Sequence, residues 1–424
     1  MSKGTPMFMD TSKDLEVIIK VTEVCNINCS YCYVFNMGNE DYKSRPQFIS
    51  QGTAEQIVAF LRQGVRDMKT ERIRIVFHGG EPLMLGKRRF QSLCRTLQDG
   101  LGNLVDLGLG LQSNGALIDE EWIAIFEEFK INVGISLDGP ERIHDHYRVD
   151  KAGNGTHAKT LAGIELLRSA YNAKRISCPG AICVINPDFP VSEVYHHIVR
   201  ELGFKRVSFN LPMETCDSVP SRYTESLPRY LTGLFEEWLA DEDPEIEIRI
   251  LDQMLRVFAG NYEFRDILLN VHKKHLMVVI AADGELSEHD DFKVINFAQR
   301  MGNVKDTSLL DFANSPLRQF LHALINSVPD DCQGCDWRNY CRAGCTHGLS
   351  ITRYSQANGF NNRSSLCSGF AALFEKGADF LMANGLHRNQ LDAALGLGNG
   401  DQAVNCIAVP VPDQSFYTLQ EAAE

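Results

Sequence analysis

The sequence predicts an α/β protein: six βα units on a parallel sheet, followed by a small cysteine-rich extension. Two observations carry this. Apolar runs and amphipathic stretches alternate from residue 16 to about residue 212, the pattern of parallel strands joined by helical crossovers. Beyond that region four cysteines crowd between Cys332 and Cys345, with Cys367 after them.

The strand-like runs are 17–24, 73–78, 107–112, 132–137, 181–185 and 206–211. They are short, apolar and bounded by turn residues. Helix-like stretches fall between them at 52–68, 87–98, 119–129, 157–171 and 191–202. Several carry start signals, such as Asp119 ahead of Glu120, Glu121 and Trp122. Six strands are too few to close an eight-stranded barrel. We divide the chain into a segment 1–15, a barrel region 16–215, a helical bridge 216–270, a cysteine-rich region 271–385 and an extended tail 386–424. Helical spacing recurs at 230–238 and 251–258 in the bridge, and 371–382 reads as a closing helix.

The chain has 424 residues, 44% of them hydrophobic, enough for one large domain and a smaller one. A net charge of −13 argues against nucleic acid or an anionic membrane as partner. No apolar run approaches a membrane span, and the N-terminus lacks the order of a signal peptide. We therefore expect a cytoplasmic protein. In such a chain thirteen cysteines suggest metal binding rather than disulfides. Cys94, Cys178, Cys183, Cys216 and Cys406 are scattered and read as core or incidental thiols.

Cys25, Cys29 and Cys32 follow directly on the first strand. Three thiolates on one loop can hold three corners of a cubane cluster, leaving one iron open to a small molecule. Ordinary electron-transfer clusters take four cysteines. The alternatives are a zinc site completed from elsewhere, or buried thiols. C-x3-C-x2-C with Tyr31 before the last cysteine resembles the signature of radical S-adenosylmethionine (SAM) enzymes. The resemblance implies a partial (β/α)6 TIM-like barrel and a 4Fe-4S cluster whose open iron chelates SAM. It also implies reductive cleavage to a 5′-deoxyadenosyl radical that abstracts hydrogen from a substrate. A flavodoxin or ferredoxin is the expected electron donor.

The segments after the next strands extend the resemblance. His78-Gly-Gly-Glu-Pro82 resembles the family's G-G-E-P segment, in which Gly79 and Gly80 let the backbone approach a ligand and Glu81 meets the methionyl amino group. Alone, the segment could be any turn. Ser113, Asn114 and Ser136 are the implied contacts to ribose and carboxylate, with Asp138 beside them. Arg148 is the implied partner of the methionyl carboxylate, which a guanidinium matches with two bonds. The alternative is a surface arginine paired with Asp145 or Asp150. His144 and His146 read as structural or exposed.

Cys332, Cys335, Cys341, Cys345 and Cys367 resemble the C-terminal half of the SPASM extension of peptide-modifying radical SAM enzymes. The resemblance implies one auxiliary 4Fe-4S cluster on Cys332, Cys335, Cys341 and Cys367; a structural zinc is the alternative. The positions expected to hold a first auxiliary cluster carry His272, Lys273, Lys274, His275 and His289, so that cluster is expected to be absent. Cys345 is then a free thiol near the active site, or a ligand of another site. This loss resembles the subset of maturases that form cyclophanes in ribosomal precursor peptides. There Asp290, then Glu288, is the expected proton acceptor; the alternative for 285–291 is a solvated loop. Competing outcomes are thioether formation, epimerisation or sulfatase maturation, and, outside catalysis, an iron–sulfur or zinc protein. The fifteen residues before the first strand cannot make a leader-binding domain. A precursor peptide is expected to dock on another surface, such as the open sheet edge.

Overall fold

The structure is a computed structural model, and it describes residues 13–261, 275–295, 300–347 and 350–397. His272, Lys273, Lys274, Cys406, the first twelve residues and the tail from 398 lie outside the described residues.

Each of the six strand-like runs forms a strand: β1 Asp14–Thr22, β2 Arg72–Gly79, β3 Asp106–Ser113, β4 Ile131–Ser136, β5 Gly180–Val184 and β6 Arg206–Asn210. They lie in chain order in one sheet and every neighbouring pair is parallel. The crossovers are helical: α1 Gln51–Met68, α2 Lys87–Leu101, α3 Glu120–Phe129, the short α4 Glu141–Tyr147, α5 His157–Asn172 and α6 Val191–Tyr195. The Ser50 side chain caps α1 by accepting from Thr53 N at 3.0 Å. Asp119 caps α3 by accepting from Trp122 N at 3.0 Å. The expected helix 191–202 is divided, because α6 passes into a π-helical turn over His196–Glu201.

Burial explains why alternation was legible. β1 is buried along both faces from Leu15 to Thr22, as a strand covered on both sides must be. Val17, Ile19 and Val21 join the main core. Ile18, Val76 and Val279 form a separate small cluster on the opposite face. Phe77, Phe90, Trp122 and Phe126 step outward between sheet and helices, with centroids 4.9, 5.3 and 6.0 Å apart. Each such ring contributes about 1.5–3 kcal/mol of burial.

After α7 Tyr223–Ala240 come β7 Glu247–Ile248, parallel to β6, and α8 Arg249–Phe258. β8 His275–Ile280 then returns across the fold and pairs parallel with β1, Ile19 opposite Ile280. β9 Leu286–Ser287 closes the order β7-β6-β5-β4-β3-β2-β1-β8-β9 as an antiparallel hairpin. The cysteine-rich region therefore adds strands to the barrel sheet. It continues with α9 Leu309–Ala313, α10 Pro316–Asn326, α11 Arg338–Cys341, α12 Cys367–Ala383 and α13 Arg388–Ala394. Phe258, Trp337, Tyr340 and Phe374 bind α8, the cysteine segment and α12 together, with centroids 5.1–5.7 Å apart. α13 shows that the chain beyond residue 386 begins with a helix.

Candidate active site

The cysteine loop springs from the end of β1. Thr22 Oγ1 donates to Val24 O at 2.8 Å and turns the chain out of the sheet. Cys32 N donates to Cys29 O at 3.1 Å and Asn36 N to Cys32 O at 2.8 Å. The Asn36 amide ties the same turn by donating to Cys29 O at 2.7 Å. The segment after α4 lies against the loop: Asn28 N donates to Val149 O at 2.7 Å and Ser30 N to Tyr147 O at 3.2 Å. Burial pushes the Cys25 thiol up to about 12 and the Cys29 thiol to about 11. Thiols so placed ionise readily when a metal takes the charge. Three sulfurs on one loop, that of Cys29 buried and those of Cys25 and Cys32 half-buried, are a donor set that suits an iron–sulfur cluster.

The glycines after β2 have a different physical reason from the expected one. Gly79 has φ +125°, and a Cβ there would lie 2.1 Å from Thr22 O; a Cβ on Gly80 would lie 2.2 Å from Val24 O. Gly80 N and Glu81 N donate to those same carbonyls, each at 3.0 Å. The missing side chains thus bring β2 against the start of the cysteine loop, and no ligand is needed to account for them. Glu81 is buried and accepts from Ser113 Oγ at 2.9 Å, Asn114 N at 2.8 Å and Leu83 N at 3.1 Å. Burial raises its carboxyl to about 7, against the pull of those donors. Asn114 reaches back to the loop through Asn26 Oδ1 at 2.8 Å. Gln112 Nε2 donates to Ser136 Oγ at 2.9 Å. Gly79, Gly80, Glu81, Ser113, Asn114 and Ser136 all sit at or beside the C-terminal ends of β2, β3 and β4.

Arg148 is buried, and neither Asp145 nor Asp150 is its partner. Its Nε lies 2.7 Å from Asp138 Oδ2 and its terminal nitrogen 3.3 Å from Oδ1. Tyr31 donates to the same carboxylate at 2.5 Å, and its ring lies 5.4 Å from the guanidinium. Val184 N adds a bond at 3.1 Å. Burial works to raise the Asp138 carboxyl, but Arg148 outweighs it and holds the group below its usual range. Part of the Arg148 fork is therefore spent on Asp138, which anchors Tyr31 and, with it, the cysteine loop. His144 is buried against Thr156 Oγ1 at 3.2 Å, and His146 is exposed.

The expected proton acceptors stand differently. Asp290 is buried with its oxygens 2.6 Å from Lys20 Nζ and 2.7 Å from Lys293 Nζ. Burial would raise its carboxyl, but the two ammonium groups outweigh burial and hold it far below the usual range. Glu288 is buried 3.1 Å from Arg318 Nε. Both are structural ion pairs in this state rather than free bases or members of a solvated loop. Cys345 is buried, and burial pushes its thiol up against the opposing pull of Ser350 and Arg353. It is a free thiol, as expected, but one closed off from solvent. Lys20, which sequence reasoning passed over, had a signal: it is a charge set among the apolar residues Val17, Ile18, Ile19 and Val21 of the first strand.

Cys332, Cys335, Cys341 and Cys367 border one cavity, walled by Trp337, Phe370 and Phe374. Among the described residues no three Cys, His, Asp or Glu side chains gather tightly enough for a single metal ion. The four cysteines instead surround a space. Cys345 does not line it.

Residues 19–186 match the radical SAM superfamily. The barrel is a radical SAM domain, and the chain is an enzyme that uses SAM and a 4Fe-4S cluster. The serine-type anaerobic sulfatase-maturating enzyme of Bacteroides thetaiotaomicron is 25% identical over 395 residues, covering 87% of this chain and 91% of that one. The cysteine-type enzyme of Clostridium novyi is 24% identical, covering 86% and 95%. The solved structure of anSMEcpe with bound AdoMet has a TM-score of 0.72 at 22% identity, covering 87% of this chain and 98% of that one. SuiB of Streptococcus suis, bound to precursor peptide SuiA, has a TM-score of 0.52 at 16% identity, covering 84% and 76%. These structural likenesses speak for the fold. No helix among the described residues is long and apolar enough to cross a membrane.

Proposed function

We infer that this enzyme modifies a residue of a ribosomally made precursor peptide. One observation carries the reading: a radical SAM barrel and a four-cysteine cavity occur together in a chain that aligns over most of its length with sulfatase-maturating enzymes. SuiB, solved with its precursor peptide, supports a peptide substrate through the shared fold.

Cys25, Cys29 and Cys32 would hold the SAM-cleaving cluster, and Cys332, Cys335, Cys341 and Cys367 one auxiliary 4Fe-4S cluster. When bound, SAM supplies a carbon radical that removes one hydrogen atom from the peptide. Tyr31, Asp138 and Arg148 fix the cysteine loop against the barrel. Glu81, Ser113 and Asn114 lock the strand ends where SAM would lie, and Ser136 adds a polar group beside them. Arg148 keeps donors beyond those spent on Asp138 for a SAM carboxylate. The electron enters from a flavodoxin- or ferredoxin-type donor.

The bond formed is a carbon–carbon, cyclophane-type crosslink. His289 at the position expected for a cysteine, with Cys345 a free cysteine outside the four-cysteine cavity, supports the absence of a first auxiliary cluster. Crosslinking releases a second hydrogen as a proton and an electron, and a cluster held by Cys332, Cys335, Cys341 and Cys367 would supply the electron acceptor. Asp290 could accept the proton only once Lys20 has moved from it. The second reading, oxidation of a serine or cysteine to an aldehyde, is favoured by the names of the relatives. Mass spectrometry of a peptide treated with enzyme, SAM and reductant separates the two. A crosslink removes two hydrogen atoms and leaves no hydrazine-reactive group; an aldehyde product labels with hydrazine and would overturn the crosslink.

A further inference from the structure

One charged group at the barrel mouth is left incomplete by the chemistry above. Lys20 projects from β1 on the same face as Ile18, above the small cluster formed by Ile18, Val76 and Val279. It is 1% exposed, and its ammonium has three donors. Among the described residues Asp290 is the one carboxylate within ion-pair distance of Lys20, and Lys293 shares it. A buried ammonium, Lys20, and a half-buried one, Lys293, thus divide a single carboxylate among the described residues. Glu23, buried at the end of β1, feels both lysines but makes no ion pair with either among the described residues.

The unfilled capacity faces open space. Lys20 and Lys293 line a cavity together with Val279 of β8, Ala281 just after it, Ser287 of β9, and Arg45 from the stretch following the cysteine loop. Arg300 also lines it, so four cations meet two acids, Asp41 and Glu285, on the wall. Arg45 is held to Glu285 at 2.6 Å, which leaves the lysines as the inner cations. His78, opposite Lys20 in the β1–β2 register, is in electrostatic contact with the same trio. Its Nδ1 is buried without a hydrogen-bond partner among the described residues. Burial and the Lys20 charge keep the His78 ring neutral, so it adds no competing charge. Buried donors without acceptors are costly, and a second carboxylate would satisfy both lysines.

We propose that this chamber binds a carboxylate of the peptide substrate and so helps to choose which residue reaches the radical site. The proposal rests on the peptide-modifying reading. The chamber lies at the C-terminal ends of β1 and β8, the end of the sheet from which the cysteine loop leaves, where barrel enzymes hold their substrates. The carboxylate can come from an acidic side chain or from a peptide C-terminus.

Calorimetry on the cluster-reconstituted, SAM-loaded enzyme tests it with three probes: Ac-Gly-Asp-Gly-NH2, its neutral isostere Ac-Gly-Asn-Gly-NH2, and Ac-Gly-Gly-Gly-OH. At least one carboxylate probe binds about tenfold or more tightly than the isostere, and the two arms name the source. Lys20→Met and Lys293→Met each erase the preference. Equal affinities, or no binding of either carboxylate probe to wild type, overturn the proposal without any variant having to fold. Reductive SAM cleavage by wild type is measured in parallel. Cleavage with no carboxylate preference sinks the chamber alone, and no cleavage sinks the enzyme reading beneath it.

Discussion

Two buried cation–carboxylate groups flank the barrel mouth, and they are built differently. Asp138 and Arg148 form a closed set: a two-point guanidinium contact, a tyrosine hydroxyl and a backbone amide together fill one carboxylate. Lys20, Asp290 and Lys293 form an open one, with two ammonium groups on one carboxylate beside a cavity. The planar fork suits a fixed joint, and the ammonium, with three rotatable donors, suits an exchangeable one. The closed group holds the cysteine loop in place. The open group has capacity for a ligand.

The comparison breaks first at the closed end. Arg148→Met leaves Asp138 buried without its cation and costs about 3–5 kcal/mol, read from denaturant unfolding. Iron held by the cysteine loop falls with it, because Tyr31 loses its anchor. Gly80→Ala drives a Cβ to within 2.2 Å of Val24 O and costs about 1–3 kcal/mol. Its sharper readout is loss of iron from the loop with the auxiliary iron retained. Lys20→Met costs less than Arg148→Met, about 1–3 kcal/mol, because Lys293 still neutralises Asp290. An equal cost for the two variants would mean that the lysine group is as closed as the arginine one.

The smallest effect is on pH dependence. Burial, with help from neighbouring cations, lowers His78 to about 4 and His144 to about 3 from 6.5. The unfolded chain therefore binds protons that the fold does not. Their contribution is full above pH 6.5 and is lost as pH falls toward 4. Glu81, raised to about 7 from 4.5, works the other way, since the fold takes up its proton first. The two sets oppose each other, so the test is a difference between variants: between pH 6.5 and pH 4 the unfolding midpoint of His78→Asn falls less than that of wild type.

Much of this was legible in the sequence, for local reasons. Parallel strands buried on both faces announce themselves as apolar runs, and the cysteines of a cluster loop stand close together in the chain. What was not legible depends on chain segments far apart in sequence. β8 joins β1 across more than two hundred residues. Arg148 chose Asp138 over the nearer Asp145 and Asp150 because the loop folds its guanidinium toward the strand ends. Gly79 and Gly80 looked like ligand glycines, but they serve a backbone crossing with Thr22 and Val24. Asp290 looked like a base until Lys20, from the first strand, was found against it.

The central claim is that one chain carries a SAM-cleaving cluster on Cys25, Cys29 and Cys32 and one auxiliary cluster on Cys332, Cys335, Cys341 and Cys367. Iron, sulfide and zinc content, measured on anaerobically reconstituted wild type and on the Cys25/Cys29/Cys32 triple alanine variant, tests it most directly. The account predicts about eight irons falling to about four. About twelve irons in wild type would mean that a third cluster exists, and zinc with little iron would contradict the account outright.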